Sequence, residues 1–374
     1  MRRQGFEFCT RVMPRAWEDL RTRSIHVAHE VVQYMCYAVH FMNTANCEDL
    51  AVDFLRALRG RRSQRAFSRA LGYRSNIAYR WESKRCWPTA AQVLQLLQTR
   101  RAEPARKLMA FADRPLELGG TTATISPRFV ASFLDAVRVD RPIAELARAM
   151  GYSRTRVSRW LSGACEPRLP EFFELLTHTS ARVLDFVALF FDPECLPSVA
   201  HEFRRLRAVR AAAYEAPWSH LVLRALELDA YLRLPRHKPG WLAAQLKLDL
   251  EQEQQALQLL QKAGQIRWKG SRYRVANTDA LDTRGDPAGS RALRRYWIDR
   301  AGARLTAGEP GIYSYNLFSV SERDLARIRE VHLRYYREIQ GIVAESSPAE
   351  RIGVFCTQLF SVDAQAWQGA NEGG

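Results

Sequence analysis

One internal repeat constrains this chain more than any other feature. With Phe54 placed over Phe133, a register begins that holds without a gap at an offset of 79 residues. Leu55, Ala57 and Arg59 meet Leu134, Ala136 and Arg138, and Ala70, Gly72 and Tyr73 meet Ala149, Gly151 and Tyr152. Arg80, Trp81 and Ser83 then meet Arg159, Trp160 and Ser162, Cys86 and Pro88 meet Cys165 and Pro167, and Leu96 and Leu97 meet Leu175 and Leu176. Chance does not keep one register through a Gly-Tyr, an Arg-Trp and a Cys-x-Pro. The chain carries the same unit twice.

Each copy reads as short helices. Ser63 is a good N-cap for a helix with Phe67, Ala70 and Leu71 on one face, and Gly72 ends it where a left-handed cap needs no Cβ. A second helix follows with Ala78 and Trp81 inward, and Pro88 breaks the chain beyond it. In the second copy Ile143, Leu146, Ala147 and Met150 form the first face, Gly151 the turn, and Ser153 caps a helix with Val157 and Trp160 inward. Trp81 and Trp160 fall at helical spacing with the other apolar residues, which reads as core rather than as base-stacking groups. Two such helices joined by a Gly-containing turn make a helix-turn-helix unit.

The charge is concentrated on the first copy. The chain of 374 residues carries a net +16, from 56 Lys+Arg against 40 Asp+Glu. Residues 51–100 hold eleven basic groups against Asp53 and Glu82 alone, a local +9, whereas residues 1–50 are neutral. A surface that positive attracts polyanions, nucleic acid first. The longest apolar runs, such as Val31 to Met42, fall short of the ~18–20 residues that span a bilayer, so no membrane is expected as a partner. Seven cysteines without CxxC-like spacing read as scattered reduced thiols, which points to the cytoplasm.

The residues Gly72, Arg80-Trp81-Glu82, Ser83 and Pro88, and in the second copy Gly151-Tyr152-Ser153-Arg154-Thr155-Arg156-Val157-Ser158-Arg159-Trp160, resemble the Cro/lambda-repressor (XRE) class of helix-turn-helix regulators. The resemblance implies that the second helix of each pair enters the major groove and that its first turn reads base edges. Carried over by position, it assigns Ser75, Asn76, Tyr79 and Arg80 to bases in the first copy. Gln64 falls on the family position that bonds a backbone phosphate, and Arg65, Arg69, Arg74, Lys84 and Arg85 surround that face. The second copy offers Arg154, Thr155, Ser158 and Arg159 for bases and Arg156 for phosphate. Departures are visible. Arg74 stands where an N-cap Ser or Thr is expected, Lys84 where a helix-ending Gly is usual, Ile143 at the phosphate-binding Gln position and Leu161 where the first copy has Glu82.

Further along, Leu221–Leu234, Trp241–Leu248 and Leu250–Ala263 read as helices, and Gln265–Trp268 with Arg272–Val275 as a hairpin, which together resemble a winged helix. Asp249, Glu251 and Glu253 at the start of its last helix would meet phosphate with like charge, so a packing or dimerising role is expected. Asp282–Gly289 reads as a linker, Arg291–Leu305 as a helix, Gly311–Val320 and Ile352–Val362 as strands, and Glu322–Glu345 as a long helix capped by Ser321. The stretches Phe318-Ser319-Val320-Ser321 and Gln358-Leu359-Phe360-Ser361-Val362 resemble the C-terminal domain of a bacterial family of helix-turn-helix proteins, catalogued as of unknown function. No GxSxG, Walker loop, HExxH or GxGxxG is present, and His26 and His29 are a lone pair, so neither an enzyme activity nor a metal or cofactor is expected.

The expected fold is mostly α. It comprises an extension over 1–46, two tandem Cro-like helix-turn-helix domains at 47–115 and 127–195, a winged-helix-like domain at 216–281 and a small α+β domain at 284–374. Residues 1–41 are expected to be dispensable, with Met42 as an alternative start. The expected function is a bacterial, cytoplasmic, nucleoid-associated transcriptional regulator that binds double-stranded DNA and forms a homodimer through its C-terminal half, its effector unassigned. The alternative is a scaffold or interaction protein whose helix-turn-helix folds no longer read DNA.

Overall fold

The computed structural model describes residues 44–100, 102–112, 116, 125–138, 141–276 and 286–362. His26, His29, Met42 and nearly all of the expected N-terminal extension lie outside these residues. The described chain is mostly helical. The first repeat forms α1 (Thr44–Arg59), α2 (Gln64–Ala70), α3 (Ile77–Glu82), α4 (Ala90–Thr99) and α5 (Pro104–Phe111). The second forms α6 (Pro127–Arg138), α7 (Ile143–Met150), α8 (Arg154–Leu161), α9 (Leu169–Ser180) and α10 (Val183–Ala188), each element falling where the 79-residue offset puts it.

Local chemistry sets the turns in both copies. Ser63 caps α2 by accepting from the Ala66 amide, and Ser153 caps α8 by accepting from the Arg156 amide. Gly72 and Gly151 adopt φ of +83° and +69°, a left-handed conformation that costs a residue without Cβ little. The closing bonds repeat as well: Tyr73 donates to the Ser68 carbonyl at 3.0 Å and Tyr152 to the Ala147 carbonyl at 2.9 Å. Tyr73 meets Trp81, and Tyr152 meets Trp160, edge to face in both. The two tryptophans are buried.

The repeats share one hydrophobic core, which runs from Cys47 to Val199. Phe54, Phe133, Phe172, Phe173 and Phe186 are almost wholly buried within it. Burying one such ring stabilises a fold by about 1.5–3 kcal/mol. Phe54 of α1 packs edge-on against Phe173 of α9 at 5.5 Å and against Phe191 at 4.8 Å. The core of the first repeat is thus completed by side chains of the second.

A long helix, α11 (Ala200–Glu215), leads to a second core. Here α12 (Ser219–Ala225), α13 (Asp229–Leu232), α14 (Trp241–Leu246) and α15 (Leu250–Lys262) pack with the antiparallel hairpin β1 (Ile266–Lys269) and β2 (Arg272–Val275). The helix expected over Leu221–Leu234 is therefore two. The Asp229 amide bonds the Ala349 carbonyl at 2.9 Å instead of continuing the helix. Glu253 is also not available to meet phosphate. It is buried, and its carboxylate accepts from the Gly240 and Ala243 amides at 2.9 and 2.6 Å, closing the start of α14.

Two long helices follow, α16 (Pro287–Thr306), capped by Asp286, and α17 (Glu322–Glu345), capped by Ser321. Helix therefore begins inside the expected Asp282–Gly289 linker. The strands expected at Gly311–Val320 and Ile352–Val362 do not form, and β1–β2 is the sheet among the described residues. A strand needs a partner for its N–H and C=O groups, and among the described residues neither segment has one. Ile312 and Tyr315 stand almost fully exposed, at 99% and 95%. Among the described residues, no helix is long and apolar enough to cross a membrane.

Candidate nucleic-acid interface

In the first copy the elements meet at Glu82, the last residue of α3. Its nearly buried carboxylate accepts from Arg59 Nε at 2.7 Å and from Gln64 Nε2 at 2.9 Å, and Arg56 Nε lies 3.6 Å away. Gln64, expected at a phosphate, is thus held between α1 and α3 by a carboxylate. The Glu of the Arg-Trp-Glu motif fixes the angle of α3 to the rest of the copy.

Asn76 is the second residue the fold re-assigns. The first turn expected at Ser75 and Asn76 starts two residues later, and Asn76 is the N-cap of α3. Its Oδ1 accepts from the Tyr79 amide at 3.3 Å and from Ser68 Oγ at 3.2 Å. Arg74 cannot cap, and the cap falls on Asn76, whose side chain meets the Tyr79 amide. Asn76 therefore lies at the end of α3 rather than on one helical face with Arg80.

On α2, in the turn, along α3 and just beyond it, Arg65, Arg69, Arg74, Ser75, Tyr79, Arg80, Lys84 and Arg85 are all exposed. Arg85 covers the Tyr79 ring at 5.3 Å. Lys84 pairs with Asp49 at 2.8 Å, and that hydrogen bond raises its pKa. Among the described residues Arg65, Arg69, Arg74 and Arg80 have no carboxylate partner. Arg59, Gly60, Arg61, Arg62 and Arg100 line an open groove of their own. Partial burial, and then the charge of Arg62, lowers the Arg100 pKa. Position-by-position reasoning missed Arg61, Arg62 and Arg100, although the charge count over 51–100 had already included them.

The second copy divides differently. Arg154, Thr155 and Arg159 are exposed on α8, and Ser158 is half-buried. Arg156 is committed: it pairs with Glu171 and stacks over Tyr152 at 4.5 Å and Trp160 at 5.0 Å. Burial and the adjacent buried Glu174, which accepts from the Tyr152 hydroxyl at 3.2 Å, push the Tyr152 pKa to about 12. The first turn of α8, with Thr89 and Arg168, lines an open groove.

Residues 198–362, less than half of the chain, match the family described as Domain of unknown function (DUF4423). No curated protein matches the chain. No solved structure matches it.

Proposed function

We propose that this protein is a sequence-specific double-stranded-DNA-binding transcriptional regulator. In this reading α2–α3 and α7–α8 are helix-turn-helix units of the Cro/lambda-repressor kind, with α3 and α8 entering major grooves. The observation that carries it is that Arg65 and Arg69 of α2, Arg74 in the turn and Arg80 in the last turn of α3 are all exposed and, among the described residues, have no carboxylate partner. Exposed arginines held by no local anion suit phosphate oxygens and guanine edges. α12 to β2 form a winged helix whose buried Glu253 suits packing rather than reading. The extended segment 311–320, with Ile312, Tyr315 and Leu317 in the open, suits a homodimer contact. The location that follows is cytoplasmic, on the nucleoid.

The scaffold reading draws on Asn76 and Arg156, both spent on contacts within the fold. Fluorescence anisotropy with genomic fragments at several salt concentrations separates the two. A regulator gives affinity that falls steeply with salt and differs between fragments, and a scaffold gives neither.

A further inference from the structure

We infer that the two repeats are related by an internal two-fold axis, so that one chain presents α3 and α8 to a single duplex as an inverted pair of unlike half-sites. The inference deepens the DNA-binding reading above and rests on it for its ligand.

The symmetry is visible in three reciprocal contacts. In a two-fold pair, whatever residue i of one half does to j of the other, j's counterpart receives in return. The Ala90 amide donates to the Pro167 carbonyl at 3.1 Å, and the Leu169 amide donates to the Pro88 carbonyl at 3.0 Å. Shifted by the repeat offset, each bond becomes the other. Between them Thr89 forms an antiparallel bridge with Arg168, its own counterpart, which places the axis at that bridge. Deeper in the core Phe54 meets Phe190 at 6.4 Å, and Phe133 meets Phe111 at 5.9 Å, again one contact and its image. The N-caps follow suit: the Thr89 amide donates to Gln92 Oε1 and the Arg168 amide to Glu171 Oε2.

The axis has a consequence for DNA. Dimeric helix-turn-helix proteins read two half-sites whose inverted order mirrors the protein two-fold. Here both halves belong to one chain, and the axis residues Thr89 and Arg168 share a groove with Ser153, Thr155 and Arg159 of the second copy. The halves are not identical in what they offer. Ser75 and Tyr79 stand opposite Arg154 and Ser158, Asn76 is spent on its cap where its counterpart Thr155 is exposed, and Arg80 and Arg159 agree. The duplex this fits has two half-sites in inverted order, alike where the shared arginine reads and different around it. Such a site gives the bound chain a direction along the DNA, which a true palindrome does not.

The test uses the full-length chain and duplexes of about 30 bp selected from a random pool, long enough for two half-sites one helical turn apart. Reversing one half-site in place, or inserting about 5 bp between the two, should each weaken binding by about tenfold or more. Titration should saturate at one duplex per chain. Arg80→Ala should relax base choice in one half-site and Arg159→Ala in the other. Two chains per duplex on identical half-sites, or equal binding to inverted and direct arrangements, overturns the inference while leaving DNA binding intact. Failure to bind any duplex at low salt overturns the DNA-binding reading itself and the inference with it.

Discussion

Arg210 of α11 grips Asp185 of α10 with its two terminal guanidinium nitrogens, Nη1 and Nη2, at 2.7 and 2.8 Å, and both side chains are buried. This pair fastens the helix that leads to the second core onto the core formed by the repeats. Removing one member of a buried ion pair leaves the other charge uncompensated, at a cost of about 3–5 kcal/mol. Asp185→Ala should therefore lower unfolding stability by that amount in urea titration. The double variant Asp185→Leu/Arg210→Met should recover most of it, since apolar replacements of similar volume leave no buried charge. A single-variant loss below about 1 kcal/mol would mean the pair behaves like an exposed one.

Lys84 occupies the left-handed position, at φ +60°, that Gly163 fills in the second copy at +73°. A residue with a Cβ is strained there, and its ion pairs with Asp49 and Glu48 are solvent-exposed and weak. Lys84→Gly should raise stability by about 0.5–1 kcal/mol. The same change removes a cation from the proposed phosphate face, so DNA affinity should fall as the melting temperature rises. Calorimetry and anisotropy on one sample check both signs.

Base-reading and phosphate-binding losses should look different. Arg80→Ala should cost about 1–3 kcal/mol at the preferred site and relax one base position. Arg69→Ala should weaken binding to all sequences alike and reduce the salt slope by about one unit. If neither substitution changes binding, the regulator reading fails.

Two half-buried histidines set a pH dependence. Burial, and behind it the charge of Arg141, pulls His178 down to about 4, and burial with Arg224 does the same to His220. Both rings stay neutral in the folded protein while the unfolded chain takes up protons near 6.5. Between those values the unfolded state binds more protons, so stability rises with pH across the window. The contribution is complete above 6.5 and disappears as pH falls toward 4. Melting temperature should therefore drop on acidification, and His178→Gln/His220→Gln should flatten that drop.

Ile312 and Leu317 project into solvent from the extended segment between α16 and α17. Replacing both by Glu should leave the circular dichroism of the chain unchanged and convert the proposed homodimer to a monomer in light scattering. A wild-type chain already monomeric at micromolar concentration argues against that contact.

Much of the repeat was legible in the sequence because its signals are local. Ser63 and Ser153 cap helices through their own hydroxyls, Gly72 and Gly151 turn the chain for want of a Cβ, and Trp81 and Trp160 sit at helical spacing. Such features depend on a few neighbouring residues, and they carried the mostly helical fold. The candidate site was legible only in part. Arg80 and Arg69 are exposed as expected, whereas Gln64 and Arg156 have carboxylate partners on other helices, which no spacing rule reveals, and Asn76 was assigned to bases although its i+3 amide lies within cap reach. The same limit explains Gly311–Val320 and Ile352–Val362: alternating apolar residues suit a strand, but a strand exists only where another backbone lies alongside. What tertiary structure alone decided is the relation between the copies. The offset of 79 determined that there are two like units, and only the packing of Phe54 on Phe190, Phe133 on Phe111 and Thr89 beside Arg168 made them two halves about one axis, because such contacts join residues far apart in the chain.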